Sequence, residues 1–326
     1  MKTIKWAMVG SGFMADLIVP DFALVENTKL TAMVSRNPDA AKGKLSGLGV
    51  DVPVISFEEA LQNPEIDLIY VASPHSEHFR MTKAALEAGK HVLCEKAFMM
   101  NAEEAREVQQ IAFKRGLFLM EAMWTKFNPL LNHLQGLVAS KAIGELKLIQ
   151  VNFGRALDFD PSHRLFSAEL GGGSTLDQGV YVMTFLRWFA GSRLKSISTV
   201  GQRFPNGIDA LAVSRLEFEN GVLGQGAHSL STNIGTKARL IGDRGVIDID
   251  SFFWSPEEAY ITLEDNDVVR SGPTRIHVPK DGMGYSHMIR EVSASILEGK
   301  SEVAAHTVQW SVETMETLDE IRSEIN

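Results

Sequence analysis

The sequence predicts an α/β protein: a doubly wound parallel sheet, followed by an α+β domain built on a large, mostly antiparallel sheet. In the first part, short continuous apolar runs alternate with helical segments, a pattern typical of a parallel sheet covered on both faces. After about residue 123, long alternating strands follow one another without helices between them, as expected for an antiparallel sheet. We therefore predict a first domain over residues 1–122 and a second over residues 123–326.

The elements of the first domain follow from these apolar runs. Gly89 stands where the C-cap residue of a helix is expected, and Asn101 with Glu104 begins a helix with a capping-box-like pattern. The predicted strands are Ile4–Val9, Leu30–Val34, Asp67–Ala72, His91–Cys94 and Leu117–Met120, and the predicted helices are Phe13–Val25, Glu77–Ala88 and Asn101–Lys114.

In the second domain, Asn220-Gly221 is a strong turn signal between two strands. The predicted strands are Leu146–Phe153, Ala210–Phe218, Val222–Ser229 and Lys237–Ile241. The chain then ends in helices, the first over Ser286–Leu297 and the second with Val308, Val312, Met315 and Leu318 on one face.

Composition excludes several classes of protein. The chain has 326 residues, 44% hydrophobic and 22% charged, as in ordinary soluble globular proteins. Its net charge of −9 argues against a nucleic-acid-binding face. The sequence shows no signal peptide and no apolar run long enough to cross a membrane. Cys94 is the single cysteine and the histidines are scattered, so no set of residues has the spacing of metal ligands. We expect a cytoplasmic protein with no metal, nucleic-acid or membrane partner.

A glycine turn follows the first strand, in the segment Gly10-Ser11-Gly12-Phe13-Met14-Ala15. Glycines at these positions let the chain turn sharply and let its backbone approach a pyrophosphate. The amides at the start of the following helix favour phosphate oxygens. The turn therefore predicts a dinucleotide site with contacts from Gly10, Gly12, Phe13 and Met14. Such a site is typical of a Rossmann domain.

The end of the second strand bears on the choice of dinucleotide. NAD-binding domains usually place an acid there for the ribose 2′-hydroxyl, but this strand ends in Ser35-Arg36. An arginine can pair with the 2′-phosphate of NADP and stack on adenine, and Lys42 can assist. The sequence therefore favours NADP over NAD; the alternative is that Arg36 is a solvated loop residue.

Two strand ends carry polar residues at the edge where open α/β sheets bind ligands. One strand runs directly into Glu95-Lys96, and another into Ser73-Pro74-His75. Lysines near strand ends are more often solvated than catalytic, but the buried strand and Glu95 favour a functional Lys96. His78, on the following helix, either faces the cofactor or caps locally.

A glycine-rich segment, residues 171–181, ends with Asp177 and Tyr181 four positions apart and predicts that they share one face of a helix. A nearby ammonium stabilises a phenolate, so Tyr181 can exchange a substrate hydroxyl proton with Lys96 tuning it. Asp177 would orient the substrate or the lysine. Tyr181 alone also suits an apolar helix face, whereas an acid there requires a partner.

Together these segments resemble the Gfo/Idh/MocA oxidoreductases over essentially the whole chain. Residues 88–96 are very similar to the family's Ala-Gly-Lys-His-Val-x-x-Glu-Lys-Pro signature, and residues 171–181 resemble its Gly-Gly-Gly-x-Leu-x-Asp-x-Gly-x-His/Tyr segment. Residues 73–78 look like its Thr-Pro-Asn-x-x-His segment. Within the family, residues 120–129 look most like the branch of dimeric dihydrodiol dehydrogenases and NADP-dependent D-xylose dehydrogenases.

The resemblance implies an NADP-dependent hydride transfer to or from a sugar, polyol or vicinal diol, in a homodimer or a dimer of dimers. Trp124 would line the substrate pocket, unless it is a packing aromatic at the domain junction, and Arg164 would reach substrate or cofactor. The implied catalytic residues are Lys96, Asp177 and Tyr181; the implied cofactor contacts are Gly10, Gly12, Phe13, Met14, Ser35, Arg36, Ser73, Pro74, His75, His78, Glu95 and Lys96.

This sequence departs from the family pattern at two positions. Ala97 replaces the usual proline after the lysine, so the Lys96–Ala97 bond is either trans or a cis bond without proline. His75 replaces the usual asparagine. Two other functions stay open: an NAD-dependent inositol or sugar dehydrogenase, against which Arg36 and Tyr181 count, and a non-catalytic NAD(P)-binding regulator, which would not require the three catalytic residues. A methyltransferase would leave the Glu-Lys and Gly-Gly-Gly segments unexplained.

Overall fold

The computed structural model describes residues 2–265 and 268–325. The chain divides into two compact units, the first of Met1–Phe127 with Asp281–Met315 and the second of Asn128–Lys280 with Glu316–Asn326. One unit is built on a parallel sheet and the other on a mostly antiparallel sheet, which confirms the predicted fold class.

The first unit contains a six-stranded sheet in which every strand pair is parallel. The strand order is β3-β2-β1-β4-β5-β6, so the direction of winding reverses between β1 and β4. This is the order of a Rossmann fold, and ligands bind beyond the carboxyl ends of the strands at that reversal. Its elements are β1 Ile4–Val9, α1 Phe13–Ile18, β2 Thr28–Val34, α2 Pro38–Gly47, β3 Val54–Ile55, α3 Phe57–Gln62, β4 Leu68–Val71, α4 His75–Glu87, β5 His91–Cys94, α5 Ala102–Arg115 and β6 Leu119–Glu121.

The helix predicted over residues 13–25 is shorter in the structure. The α-helix ends at Ile18, and a 3-10 helix, Pro20–Leu24, follows it. Pro20 has no N–H group and cannot donate the hydrogen bond that would continue the α-helix. The predicted start of α5 is confirmed, because the Asn101 side chain accepts a hydrogen bond from the backbone N–H of Glu104 at 2.9 Å.

The second unit contains an eight-stranded sheet in the order β14-β13-β12-β11-β7-β10-β9-β8. All of its strand pairs are antiparallel except β7–β10, which is parallel. Its elements are α6 Pro129–Ala139, β7 Leu146–Gly154, a π-helical turn Thr175–Gly179, α7 Val180–Ala190, β8 Leu194–Arg203, β9 Asp209–Phe218, β10 Leu223–Ser229, β11 Ala238–Gly242, β12 Gly245–Ile249, β13 Glu258–Asp265 and β14 Val268–His277.

The last two helices are α8 Ser286–Leu297 and α9 Val308–Glu324. The segment that contains α8 packs on the first unit, where the indole N–H of Trp6 in β1 donates to Ser293 Oγ at 3.2 Å. The buried Asp21 carboxylate accepts from the backbone N–H groups of Tyr285 at 2.7 Å and Ser286 at 3.0 Å. The chain therefore returns to the first unit, whereas the sequence predicted a single junction near residue 122.

The described part of the chain contains no helix with both the length and the apolar character needed to cross a bilayer. Nor do its residues include any group of three or more His, Cys, Asp or Glu side chains arranged to hold a metal ion.

Candidate active site

The glycine turn lies at the carboxyl end of β1, beside the reversal of strand order. Gly10 has φ +108°, and a Cβ atom there would lie less than 3.0 Å from the carbonyl oxygen of Ala72 at the end of β4. A Cβ on Gly12 would meet no atom of the described residues within 4 Å, apart from those of Gly12 and its chain neighbours. Gly10 is thus required by the close packing of the two strand ends, while the open space beside Gly12 fits the pyrophosphate of a dinucleotide.

Neighbouring strand ends add polar groups to this region. Ser35, after β2, is tied to the glycine turn because its Oγ lies 3.1 Å from Ser11 Oγ, and the next residue, Arg36, is exposed. Ser73 Oγ, after β4, is buried and has no hydrogen-bond partner among the residues described. An exposed cation and an unsatisfied hydroxyl at this edge are suited to a polar ligand such as a dinucleotide.

Glu95 follows β5 and is buried in a short hydrogen-bond network. The hydroxyl of Tyr70 in β4 donates to Glu95 Oε1, and the backbone N–H of Lys96 donates to Glu95 Oε2 at 3.2 Å. Burial raises the pKa of Glu95 to about 7, although the Tyr70 hydroxyl and the Lys96 charge act to lower it. Lys96 itself is half-buried, and of the two alternatives for the Lys96–Ala97 bond the structure has the cis form.

Two histidines join the segments that follow β4 and β5. His78 is fully buried, with Nε2 at 3.0 Å from the carbonyl oxygen of Ser73 and Nδ1 at 2.9 Å from that of Ala97. His75 Nε2 lies 3.2 Å from the carbonyl oxygen of Lys96. Burial lowers the pKa of His78. The histidines thus hold together the strand ends that the sequence predicted to lie at one edge.

Glu121, at the end of β6, was not predicted as a site residue. Its buried carboxylate accepts from the backbone N–H of Phe98 at 3.0 Å and from Ser311 Oγ at 2.7 Å. Its Oε2 atom also lies 3.1 Å from His306 Nε2. Glu121 therefore anchors the backbone two residues after Lys96. The only signal in the sequence is an acid at the end of an apolar strand.

Trp124, predicted to line the substrate pocket, lies in the 3-10 helix Trp124–Phe127 and is 8% exposed. Its ring stacks on that of Tyr285, with centroids 4.3 Å apart and planes at 14°. Trp124 thus packs within the first unit, and its contact with a substrate stays a prediction.

In the second unit, Asp177 lies in the π-helical turn and Tyr181 in the first turn of α7. The sequence placed both on one face of a regular helix; the wider π turn changes that relation. Asp177 Oδ1 lies 3.6 Å from Arg164 Nη2. Arg164, predicted from the sequence to contact substrate or cofactor, is therefore one partner of this acid.

Aromatic side chains surround Tyr181. Its ring centroid lies 5.8 Å from that of Phe153 and 6.1 Å from that of Trp254, and those two rings are stacked at 4.1 Å. The guanidinium of Arg155 lies 5.3 Å from the ring centroid of Phe252. These neighbours could not be predicted from the sequence, because nothing in the local pattern connects residue 153 with residues 252–254.

The buried carboxyl of Glu95 leads to a prediction about stability. Its pKa is 4.5 in an unfolded chain and about 7 in the folded protein. Between these values the folded state holds a proton that the unfolded state has released, so the free energy of unfolding falls as pH rises. At about 1.4 kcal/mol per pH unit, the decrease between pH 4.5 and 7 is about 3 kcal/mol. In Glu95→Gln we expect this decrease to be absent.

Urea unfolding at about pH 5 and about pH 7.5 measures this difference. Tyr70→Phe is the matched control, because it removes a hydrogen bond that lowers the pKa of Glu95 and should keep or enlarge the decrease. An equal pH dependence in wild type and Glu95→Gln would contradict the prediction.

The parallel sheet, its strand order and its glycine turn define a dinucleotide-binding Rossmann protein. Residues 4–123 match the model of the Gfo/Idh/MocA oxidoreductase family with an NAD-binding Rossmann fold, and residues 131–248 match that of the Gfo/Idh/MocA C-terminal domain. The chain belongs to the Gfo/Idh/MocA family of oxidoreductases, which confirms the resemblance seen in the sequence.

Among curated proteins, the chain is similar to trans-1,2-dihydrobenzene-1,2-diol dehydrogenases. The human protein is 30% identical and the pig protein 29%, each over 99% of this chain and 97% of the relative. Among solved structures, a 3-ketoreductase from Actinomadura kijaniata in complex with NADP and TDP-benzene is 23% identical, with a TM-score of 0.87 over 100% of this chain and 98% of the other. An aldose-aldose oxidoreductase from Caulobacter crescentus complexed with glycerol is 24% identical, with a TM-score of 0.87 over 99% and 97%. The solved structures support the fold.

Proposed function

We propose that the protein is an NADP-dependent oxidoreductase that transfers a hydride between nicotinamide and a carbon bearing a hydroxyl or carbonyl group in a sugar, polyol or vicinal diol. The observation that carries the proposal is the anchoring of the Glu95-Lys96 segment at the ligand-binding edge of the Rossmann sheet, by the hydrogen bond from the Tyr70 hydroxyl to Glu95, by His78 and by Glu121. The dihydrobenzenediol dehydrogenases and the NADP complex of the ketoreductase support the substrate class and the cofactor.

The chain's own residues would bind the cofactor and move the proton. When bound, the nicotinamide supplies or accepts the hydride. The backbone at Gly12 would meet the pyrophosphate, and Arg36 the adenosine 2′-phosphate. Tyr181 would exchange the proton of the substrate hydroxyl, and the ammonium of Lys96 would stabilise the deprotonated phenol. Asp177, paired with Arg164, would orient the substrate.

The choice between NADP and NAD is tested through Arg36. We expect the wild-type protein to bind NADPH more tightly than NADH in a fluorescence titration. Arg36→Gln should lose about 10- to 100-fold of its NADPH affinity, since charge-assisted hydrogen bonds contribute about 1.5–3 kcal/mol, and should bind NADH as before. Arg193→Gln, at an exposed arginine of the second unit, is the control. Equal binding of the two cofactors by the wild type would favour the NAD-dependent alternative.

The substrate class is tested by turnover. With NADP bound, we expect oxidation of trans-diols or aldoses, followed by the absorbance of NADPH. Binding of NADPH without turnover of any diol, polyol or sugar would reject the proposed activity and leave a cofactor-binding regulator.

Exposed apolar residues on one sheet face support a homodimer as part of the proposal. Val200 in β8 is paired in register with Val213 in β9, and both are exposed, as is Leu223 in β10. Such a surface is typical of a self-association site. Sedimentation should give twice the chain mass of 35.9 kDa; a monomer mass would reject the dimer.

A further inference from the structure

A buried polar cluster lies directly below the π-helical turn of the second unit. Asp209, the first residue of β9, accepts through Oδ2 from Ser174 Oγ at 2.9 Å and from the backbone N–H and the hydroxyl of Thr175 at 2.6 and 2.8 Å. His228 of β10 completes the cluster, because its Nδ1 atom lies 3.0 Å from Ser174 Oγ. We call Ser174, Thr175, Asp209 and His228 the turn-anchoring cluster. Its members are almost fully buried, so none of them can reach a substrate.

The direction of each hydrogen bond in the cluster follows from donor counting. A serine hydroxyl donates one hydrogen bond, and an aspartate carboxylate only accepts. Because Ser174 donates to Asp209, its oxygen can only accept from His228, so the proton of the imidazole is on Nδ1. His228 Nε2 is buried and has no hydrogen-bond partner within the described part of the chain, as suits a nitrogen without a proton. Burial also lowers the pKa of His228 to about 4, which keeps the ring neutral at pH 7.

Two glycines of the glycine-rich segment, residues 171–181, make room for the cluster. Gly173 has φ +116°, and a Cβ atom there would lie less than 3.0 Å from Asp209 Oδ1. A Cβ on Gly179 would lie 3.0 Å from Cδ2 and Nε2 of the His228 ring. At the far end of the turn, Gln178 Oε1 accepts from the backbone N–H of Ser229 at 3.0 Å. The turn is therefore held from both ends by two neighbouring strands.

We propose that Ser174, Asp209 and His228 are positioning residues that hold the π-helical turn in the conformation that presents Asp177 and Tyr181. The inference rests on the proposed function, in which these two residues act on the substrate. The cluster itself takes no part in proton transfer. It fixes the backbone from Thr175 to Gly179, on which the direction of both side chains depends.

The proton position on His228 gives a test that does not require activity. In the spectrum of protein labelled with ¹⁵N-histidine, His228 should be the Nδ1–H tautomer at neutral pH. In Ser174→Ala, which removes the acceptor, its signals should change. An Nε2–H tautomer of His228 in the wild type would overturn the proposed order of hydrogen bonds.

The positioning role is tested with Ser174→Ala against a matched control, Ser214→Ala. Ser214 is also a buried serine, and its Oγ lies 2.8 Å from Thr199 Oγ1 between β9 and β8, away from the turn. We expect amide hydrogen exchange over residues 175–181 to become faster in Ser174→Ala and to stay unchanged in Ser214→Ala. His228→Phe, which keeps a ring against Gly179, should behave like Ser174→Ala.

Steady-state turnover is a second measurement of the positioning role. Ser174→Ala should lower kcat about 10-fold or more with an unchanged dissociation constant for NADPH, because small misplacements of catalytic groups are costly. Ser214→Ala should keep kcat within about two-fold. If Ser174→Ala and His228→Phe both keep wild-type kcat and wild-type exchange over the turn, the positioning role is wrong. If the wild type turns over no substrate, the proposed function fails, and hydrogen exchange and the tautomer still decide the role of the cluster.

Discussion

Replacement of Lys96 by methionine is expected to lower kcat by about 10³-fold, within the range of general acid–base effects, and to weaken NADPH binding far less. Methionine retains the unbranched apolar stem and loses only the ammonium. The backbone should stay in place, because it is held through atoms that the substitution does not change: the Lys96 N–H on Glu95, and the Lys96 carbonyl oxygen beside His75.

Steady-state kinetics and a parallel NADPH titration measure the two effects separately. Lys114→Met, at an exposed lysine in the last turn of α5, is the control for loss of a positive charge. Tyr181→Phe keeps the ring packed against Phe153 and Trp254 and removes only the hydroxyl. If Tyr181→Phe retained full kcat over the whole pH range, the acid–base role assigned to Tyr181 would be wrong; full activity of Lys96→Met would reject the catalytic lysine.

A second large effect is expected at the glycine turn, where alanine substitutions at Gly10 and Gly12 should fail in different ways. Gly10→Ala places a Cβ in a left-handed conformation and against the carbonyl oxygen of Ala72. The conformational cost is about 1–2 kcal/mol and the overpacking about 1–3 kcal/mol, so this variant should be destabilised even without a ligand.

Gly12→Ala meets no such contact and has φ −79°, which alanine adopts readily. Its unfolding free energy should stay within about 0.5 kcal/mol of the wild type, whereas its affinity for NADPH should fall, because the added methyl group occupies the approach of the pyrophosphate. Thermal unfolding without ligand and a cofactor titration of both variants make the comparison. Equal loss of stability in the two proteins would contradict this division of roles.

Much of the Rossmann unit could be predicted from the sequence, because its central strands are buried on both faces and appear as continuous apolar runs. The local consequence of Pro20 was not predicted, and neither was the return of residues 281–315 to the first unit. An amphipathic helix such as α8 shows which of its faces is buried, but not which sheet covers that face.

The candidate site, too, could be predicted only in part. Lys96, Asp177 and Tyr181 were predicted because each belongs to a local motif. The groups that hold those motifs in place come from distant parts of the chain: Ser311 is 190 positions from Glu121, and Asp209 is 34 positions from Thr175. No periodicity or spacing connects such pairs. The π-helical turn was missed for this reason, since the contacts that hold it come from β9 and β10.

The return of the chain to the first unit bears on how the protein folds during synthesis. On the ribosome, residues 1–127 emerge early, yet Trp6 and Asp21 find their partners only when residues 283–293 have been made. The second unit also needs residues made late, since Arg203 donates to the carbonyl oxygen of Ile325. Neither unit is complete before its later segment has been made, so neither can finish folding while only the earlier residues have emerged. A fragment cut after residue 127 would lack part of its own core.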